Sequence, residues 1–550
     1  MSQDRMERVV DVFLRYLKAE DVEVIFGVPG GLLHYFFEAV DADPDLRLVV
    51  AKHEQGAAFM ADGYARAGRR IGVCAGTSGP GSTNLLTGVA CAYADGVPLL
   101  VITGQAARSA QGRGAAQEAT PEHMDIVGVF KPVTKYSTMV RSPESLAHHL
   151  RAALRQALTG RPGPVHLNVP VDLWELPLAE SWFAPQSYRP LTQAFDRKAV
   201  HTAADRLLAA ELPVMLAGTG VARAHAAEHL LTLAEMLPAR VATTPAAKGI
   251  FPENHPLSLG VLGYAGHAEA SDTIFGDNVD VLLTVGASLN EPTTLNWRPD
   301  FLPKETLLQL DIDPHRIGRN YPVDVALVGD AQTILVELVY HAHRSIREGS
   351  TPRSRWHAEP PLLRGGERYD DPAWRTSEQV PLTPQRWRCD LEEVLPDDAV
   401  IVSDIGGHMF FNIHNLCIKE NQRFLINFSF ASMGHGTAAP VGVALATGRP
   451  VIAIVGDACF TMNGMELITA AEYDVPVVWI VENNNMHGII YHGAKLVGRR
   501  QPMEAIRYRR SDPRGSAGGP GKSPACSHRG PRGSDDSTPF RCPSAVYRGF

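Results

Sequence analysis

Cysteine is scarce in this sequence, which has seven cysteines in 550 residues. They are scattered, odd in number and never spaced as a CxxC pair. This pattern argues against a disulfide framework and against a structural zinc site, because both need cysteines at close, regular intervals. It is typical of reduced thiols, so we expect a cytoplasmic protein. The cysteines are Cys74, Cys91, Cys389, Cys417, Cys459, Cys526 and Cys542.

Long apolar runs are also lacking. The most apolar stretches, among them residues 281–287 and 477–481, are much shorter than the roughly 18 residues that a membrane helix requires. The N-terminal residues carry several charges and no apolar signal core. We therefore expect neither a membrane span nor a secretory signal.

Positive charge is not in excess. The chain has 52 Lys and Arg against 60 Asp and Glu, a formal net charge of −8. A nucleic-acid-binding surface or a basic membrane patch would need the opposite balance, so neither partner is expected. The composition is otherwise that of an ordinary soluble protein, with 45% hydrophobic residues. Its length exceeds what one core usually organises, and we expect three domains of about 150–200 residues.

Short apolar runs alternate with helix-length segments along most of the chain. The runs are continuous rather than alternating, which predicts parallel strands that are covered by helices on both faces. Two stretches rich in proline and polar residues, near 177–190 and 357–384, predict linkers. The sequence thus predicts an α/β protein with three doubly wound parallel-sheet domains. Their expected bounds are 1–176, 190–356 and 384–510.

The last 40 residues break this pattern. In residues 511–550, Ser, Gly, Pro and Arg account for 25 of 40 residues, and Leu and Ile do not occur. Such a segment cannot build an element with a buried face, so we expect a disordered tail. It is either a native tail or the product of out-of-frame translation that leaves the third domain truncated. We favour the second explanation, because a domain of residues 384–510 is short for its type.

Glycine-bearing turns follow three predicted strands, at residues 27–31, 76–81 and 217–220. Each turn alone is weak evidence, since glycine at such a position often only tolerates the turn. No Walker A sequence occurs, and no GxGxxG follows the first predicted strand. A P-loop nucleotidase and a simple Rossmann dehydrogenase are therefore disfavoured.

Two polar turns in the third predicted domain are more specific. Gly456-Asp457 follows a predicted strand at 451–455, and Asn483-Asn484 follows the next one at 477–481. Parallel strands bring their carboxyl ends to one edge of a sheet, so these turns should converge. One carboxylate, one amide oxygen and one backbone carbonyl, together with diphosphate oxygens, suit Mg²⁺. Turns and helix caps use the same residue types, so the spacing alone leaves both interpretations open.

The two turns, separated by 25 residues, resemble the thiamine-diphosphate (ThDP) binding motif. The order and spacing of further segments are similar to motifs of the same superfamily over residues 1–500. Within this superfamily, the chain resembles most the acetolactate synthase and 2-oxo acid decarboxylase branch. The resemblance implies pyrimidine-binding, central and diphosphate-binding domains, in that order. The further segments are 52–58, 61–66, 77–84, 160–165, 170–172 and 432–434.

The resemblance also implies residue roles. Glu54 resembles the glutamate that hydrogen-bonds N1′ of the aminopyrimidine, and Gln117 resembles an active-site glutamine near the substrate. His53 is expected to cap or pack in its helix rather than act as a base. The metal ligands would be Asp457, Asn484 and the carbonyl oxygen of Met486. The cofactor-binding residues would be Gly30, Pro80, Asn84, His408, Met433, Gly456, Ala458, Cys459 and Asn483.

Among the last group, the expected contacts differ. His408 would touch the diphosphate, and Ala458 and Cys459 would offer backbone N–H groups to it at a helix N-terminus. Met433 resembles the bulky side chain that bends the bound cofactor; an ordinary core position is the alternative.

The activity implied by the resemblance is ThDP- and Mg²⁺-dependent decarboxylation of a 2-oxo acid such as pyruvate, followed by carboligation to a second carbonyl compound. The alternatives are a simple decarboxylase that releases an aldehyde, and a non-catalytic remnant. A homodimer or homotetramer with ThDP at the subunit interface is also implied. Residues 286–290 lack the arginine of FAD-binding relatives, so FAD is doubtful. No tryptophan follows Asn484 closely, which leaves the acceptor substrate open.

Overall fold

The computed structural model describes residues 6–68, 70–179, 183–190, 194–356 and 372–498. The predicted tail at 511–550, and with it the predicted truncation, lies outside these residues. Within them, three parallel sheets are flanked by helices, the α/β class that the sequence predicts. The domain bounds themselves stay predictions. None of the described helices is long and apolar enough to cross a membrane.

In the described residues, the first domain contains a six-stranded parallel sheet and a short antiparallel ribbon. Its strands are β1 (Glu7–Arg8), β2 (Val24–Val28), β3 (Arg47–Val50), β4 (Gly72–Gly76), β5 (Leu99–Gln105), β6 (Tyr136–Met139), β7 (Val165–Pro170) and β8 (Pro177–Leu178). Its helices are α1 (Val9–Ala19), α2 (His34–Ala42), α3 (Glu54–Ala67), α4 (Pro80–Asp95), α5 (Ile126–Phe130) and α6 (Pro143–Leu158). The sheet order is β3-β2-β4-β5-β7-β6, and β1 pairs with β8. Residues 177–178, which the sequence assigns to a linker, therefore belong to the ribbon.

The second domain contains, in its described part, a parallel sheet of order β11-β10-β9-β12-β13-β14. The strands are β9 (Val214–Ala217), β10 (Arg240–Thr243), β11 (Ser258–Val261), β12 (Val281–Val285), β13 (Thr306–Asp311) and β14 (Val325–Val328). The helices are α7 (Arg197–Ala209), α8 (Thr219–Arg223), α9 (Ala227–Met236), α10 (Ala268–Phe275), α11 (Glu291–Thr294) and α12 (Ala331–Arg347). The strands β9 and β12 are buried throughout, as continuous apolar runs predict.

In the third domain, the described sheet has the order β16-β15-β17-β18 and is parallel. Its strands are β15 (Val400–Ser403), β16 (Arg423–Ile426), β17 (Val451–Gly456) and β18 (Val477–Glu482). Its helices are α13 (Pro384–Val394), α14 (Gly407–Asn415), α15 (His435–Thr447), α16 (Asp457–Asn463), α17 (Glu466–Glu472) and α18 (Gly488–Leu496). In this part of the chain β18 is an edge strand, and Val478 on it is 59% exposed.

Helices α3 and α15 join the first and third domains in a close crossing. A Cβ atom on Gly442 would overlap the carbonyl oxygen of Met60, so the crossing requires glycine at this position. Buried polar and charged groups lie in the same contact: His435 Nε2 is 2.6 Å from Asp62 Oδ2, and Arg66 donates to Asp62 and Asp95. The Arg66 guanidinium is paired with these two carboxylates, which limits the cost of burying their charges.

Candidate cofactor site

The first group of predicted site residues lies where the first sheet changes direction. The chain passes from β2 out to β3 and returns to β4 on the other side of β2, and such a switch point leaves a crevice beyond the carboxyl ends of β2 and β4. Gly30 follows β2 and packs against Thr77, the residue after β4. The buried hydroxyls of Thr77 and Ser78 have no hydrogen-bond partner among the described residues. Buried polar groups usually have partners, so this crevice is suited to a polar ligand.

Glu54 is the first residue of α3 and is half-buried. Its Oε2 accepts a hydrogen bond from Asn84 Nδ2 at 2.9 Å, which brings two predicted site residues together. A Cβ atom on Gly81 would lie 3.2 Å from Glu54 Oε1, so the absence of a side chain there leaves space beside the carboxyl group. His53 caps α3, with Nδ1 accepting from the N–H of Gln55 at 3.1 Å, and the predicted capping role is confirmed.

Gln117 lies on a loop, and its side chain lies beside Gly79. Gly79 directly precedes Pro80, the first residue of α4. The backbone of Gln117 is left-handed, with φ +57°. The neighbouring Glu118 accepts from the N–H groups of Gly112, Gly114 and Ala115 and from the hydroxyl of Thr120. These donors hold the pKa of Glu118 down at about 2. The loop that presents Gln117 is thus organised by an ionised carboxylate.

Glu466 at the start of α17 is a residue that the sequence analysis missed. Its carboxylate, in the third domain, accepts from the backbone N–H groups of Lys52 and His53 in the first domain, at 3.1–3.2 Å. Burial raises the pKa of Glu466, while these hydrogen bonds oppose that shift. The contact positions the two residues that precede Glu54.

The second group of site residues lies at the corresponding switch point of the third sheet. Here the chain leaves β15 for β16 and returns to β17, so the crevice lies beyond the carboxyl ends of β15 and β17. His408 is the second residue of α14, which follows β15, and Asp457 begins α16, which follows β17 directly. A Cβ atom on Gly456 would lie 3.1 Å from His408 Nδ1, so glycine allows this close approach.

The predicted convergence of Asp457 with the Asn483-Asn484 turn is present. Asp457 Oδ2 accepts from the N–H of Asn485 at 2.7 Å, and Oδ1 accepts from the N–H of Ala458 at 2.8 Å. Asn484 Oδ1 accepts from the N–H of Met486 at 3.0 Å, while Asn483 Oδ1 accepts from the N–H of Asn485 at 3.1 Å. Each carboxylate oxygen keeps lone-pair capacity beyond its single hydrogen bond.

His408 is buried, and its Nε2 has no hydrogen-bond partner among the described residues. Burial, with a smaller effect of the nearby Arg388 charge, lowers the pKa of His408 to about 3. The imidazole is therefore neutral, and its Nε2 is a buried polar atom that can make a hydrogen bond to a ligand.

Met433 and Cys459 line the same end of the sheet. Met433 is partly buried and packs against the cluster of Ala453, Val455 and Cys459. The Cys459 thiol donates to the carbonyl oxygen of Ile405 at 3.0 Å, and burial raises its pKa, so it remains a protonated thiol. Asp404, which sequence reasoning passed over, accepts from the N–H of Gly434 at 3.0 Å. Burial raises the pKa of Asp404 to about 6.

The residues present fit ThDP with Mg²⁺. The second group offers the buried Nε2 of His408, which has no partner among the described residues, and the first turn of α16, and both can contact a diphosphate. Asp457, Asn484 and the carbonyl of Met486 are oxygen donors, which Mg²⁺ prefers in combination with phosphate oxygens. No cluster of three or more His, Cys, Asp or Glu side chains suited to a metal occurs in the described residues.

A cavity of about 480 Å³ lies at the switch between β9 and β12 of the central domain, and residues of the first and third domains also line it. It is lined by Gly218, Thr219 and Gly220 and by several arginines. The arginines are Arg66, Arg161, Arg189, Arg223 and Arg316, and three aspartates, Asp95, Asp311 and Asp330, line the same cavity. The doubt about FAD stays a prediction.

Comparison with known families gives three matches in chain order. Residues 7–127 match the thiamine pyrophosphate enzyme N-terminal TPP binding domain. Residues 200–338 match the central domain, and residues 404–514 match the C-terminal TPP binding domain.

Similar proteins have been named as acetolactate synthases. A probable acetolactate synthase large subunit of Methanocaldococcus jannaschii is 37% identical over 89% of this chain and 83% of that protein. An acetolactate synthase of Mycobacterium bovis is 34% identical over 91% of this chain and 78% of that protein. The acetolactate synthase isozyme 3 large subunit of Escherichia coli is 33% identical over 87% of this chain and 83% of that protein.

Proposed function

This chain belongs to the thiamine pyrophosphate enzyme family, in its acetolactate synthase-like branch, and we propose that it uses Mg²⁺ to bind ThDP and acts on pyruvate. The proposed reaction is decarboxylation of the 2-oxo acid followed by transfer of the remaining two-carbon unit to a second carbonyl compound. The observation that carries this proposal is the contact between Asp457 and the Asn483–Met486 turn beside the unpartnered Nε2 of His408.

The third domain supplies the proposed anchor. Asp457, Asn484 and the carbonyl oxygen of Met486 would hold the metal, and Nε2 of His408 would contact the diphosphate. The first-turn N–H group of Cys459 would face the same anion, where the helix dipole favours negative charge, whereas the N–H of Ala458 donates to Asp457 Oδ1 in the structure. Gly456 and Asn483 shape the turns that present these groups.

The first domain supplies the proposed proton relay. Glu54 would hold a proton between its carboxyl group and N1′ of the aminopyrimidine, oriented by the hydrogen bond from Asn84. Gly30 and Pro80 would border the pyrimidine, Met433 would pack against the cofactor, and Gln117 would face the substrate. When bound, ThDP would supply a carbon nucleophile and an electron sink for the electron pair that stays behind when the carboxylate leaves as CO₂.

The active unit we propose is a homodimer or homotetramer. The two groups of site residues belong to different domains, and a two-fold assembly would bring the first group of one subunit to the second group of its partner. We also propose a cytoplasmic location, because Cys74, Cys91, Cys389 and Cys459 are free thiols, as in a reducing compartment.

The test is product analysis with pyruvate, ThDP and Mg²⁺. Acidification converts acetolactate to acetoin, so a colour assay for acetoin after acid treatment reports carboligation. Acetaldehyde without acetoin would identify a simple decarboxylase instead. The absence of both products, from protein that binds ThDP, would exclude pyruvate as the substrate. Glu54→Gln is the matched negative control.

A further inference from the structure

Arg388 on α13 is a buried cation with an unusual set of acceptors. Its side chain is 0% exposed. The guanidinium donates to Asn412 Oδ1 at 2.8 Å, to the carbonyl oxygen of His408 at 3.0 Å and to Glu482 Oε1 at 2.5 Å. A fourth bond, at 2.8 Å, goes to the carbonyl oxygen of Pro384 in its own helix. The rings of Trp387 and Phe411 lie within 5.3 Å of the guanidinium carbon.

Three of the acceptors lie on the two elements that border the second group of site residues, α14 and the end of β18. His408 and Asn412 lie on α14, the wall that follows β15. Glu482 is the last residue of β18, is paired in register with Gly456, and directly precedes the Asn483-Asn484 turn. One guanidinium therefore connects the helix that carries the histidine to the strand that carries the amide ligand.

This connection lies at the carboxyl end of β18, an edge strand in the described part of the chain, whose other side-chain hydrogen bond to a helix runs from Trp479 Nε1 to the carbonyl oxygen of Thr437. In the described residues β18 pairs only with β17, and Val478 and Val481 on it are exposed. Asp457 holds the turn from one side through the N–H of Asn485. The Arg388–Glu482 pair holds the end of the strand from the other side, by a charge-assisted hydrogen bond to a carboxylate that is 22% exposed.

Burying an arginine costs desolvation free energy, which an apolar residue at the same position would avoid. Two charges taken from water are often no more stabilising than apolar residues of similar volume, so a buried ion pair is weak evidence for a purely stabilising role. A planar fork with several donors does, however, fix the relative positions of its acceptors. Removing a group that orients a metal ligand through a hydrogen bond typically lowers the metal affinity by 10- to 100-fold.

We propose that Arg388 is a positioning residue that sets the relative placement of His408 and Asn484 by bridging α14 and Glu482. This inference rests on the proposed function of the site. Arg388 touches neither cofactor nor substrate; it acts through the backbone of His408 and through the carboxylate next to the metal-binding turn.

The test is titration of the full-length protein with ThDP at several Mg²⁺ concentrations, followed by circular dichroism. We expect Glu482→Gln and Arg388→Lys to raise the ThDP dissociation constant and the half-saturating Mg²⁺ concentration about tenfold, and Arg388→Met to raise them up to about 100-fold. At saturating cofactor, C2–H exchange should match the wild type, because Glu54 and Asn84 are unchanged. The matched control is Arg386→Met: this arginine lies on the same helix but is solvent-accessible and pairs with Asp390.

A second variant keeps the test decisive if Arg388→Met does not fold. The double variant Arg388→Met with Glu482→Met removes both charges and avoids an unpaired buried one. Weakened ThDP and Mg²⁺ binding by folded double-variant protein supports the bridging role. Wild-type affinities in this variant or in Glu482→Gln, even with a lower melting temperature, overturn it, as does equal weakening in Arg386→Met. A wild-type protein that does not bind ThDP would instead overturn the proposed function itself.

Discussion

The carboxylate of Asp457 accepts a hydrogen bond from the backbone N–H of Asn485, 2.7 Å away, although 28 positions of sequence separate the two residues. Asp457 begins the helix after β17, and Asn485 lies in the turn after β18. The contact closes one edge of the sheet around two adjacent oxygen donors, Asp457 and Asn484. This local geometry is what makes a metal–diphosphate site chemically reasonable here.

The first prediction concerns the metal-binding carboxylate. Asp457→Ala should abolish saturable, Mg²⁺-dependent binding of ThDP, because it removes a metal ligand, the charge that balances the cation and the acceptor of the Asn485 N–H. Circular dichroism during titration with ThDP and Mg²⁺ measures this. Asp397→Ala, at an exposed turn of the same domain, should bind normally. Unchanged affinity in Asp457→Ala would mean that the two turns are structural only.

The second prediction concerns the proton relay. Glu54→Gln should leave ThDP affinity within a few-fold of the wild type while slowing C2–H/D exchange by roughly 10²–10⁴, because an amide cannot relay the proton. Exchange followed by NMR is the measurement. Asn84→Ala removes the 2.9 Å hydrogen bond to Glu54 and should give a smaller decrease in the same rate. Wild-type exchange in Glu54→Gln would contradict the assigned role.

Complementation between subunits is the third prediction. If Glu54 and Asp457 act on one cofactor across a two-fold interface, heterodimers of Glu54→Gln and Asp457→Ala subunits contain one intact site. Random mixing should therefore restore about a quarter of the wild-type activity, since half of the dimers are mixed and each has one of two sites. Activity after co-refolding or co-expression is the readout. A protein that is monomeric by light scattering and fully active would argue against a shared site.

The fourth prediction follows from a buried histidine far from the metal-binding turn. His166 is 0% exposed, lies 2.7 Å from Thr103 Oγ1 and 2.9 Å from Ser137 Oγ, and stacks on Phe130. Burial lowers its pKa from 6.5 to about 3. Because the unfolded chain gains this proton near pH 6.5 and the folded chain does not, stability is complete above that pH and is lost as the pH falls toward 3.

At pH 5.5, one unit below the pKa of the unfolded histidine, His166 is expected to lower the free energy of unfolding by about 1.4 kcal/mol relative to neutral pH. His166→Gln should reduce the difference in unfolding free energy between pH 7.5 and 5.5 by about this amount, as measured by urea titration. The exposed His148→Gln is the control and should keep the wild-type difference. An identical pH dependence in His166→Gln and the wild type would show that another group dominates acid destabilisation.

Much of the fold follows from local sequence. Continuous apolar runs predicted β2, β4 and β9, which lead into glycine-bearing turns, and they predicted β17 and β18, each of which ends one residue beyond its predicted end. Parallel strands place their carboxyl ends on one edge, and this rule was sufficient to predict that Asp457 and Asn484 converge. The ribbon of β1 and β8 was missed because two-residue strands carry no periodicity.

The sequence alone determined the order of elements, the α/β class and the two turns that form the proposed metal site, because these depend on hydrophobic pattern and strand direction. Only the tertiary structure decided which charged groups support them. Arg388 reaches Glu482, and Glu466 reaches Lys52 and His53, across 94 and more than 400 positions of sequence. The sequence does not show whether a charged side chain makes its hydrogen bonds to water or to another protein group. Only folding removes the water and selects the partner.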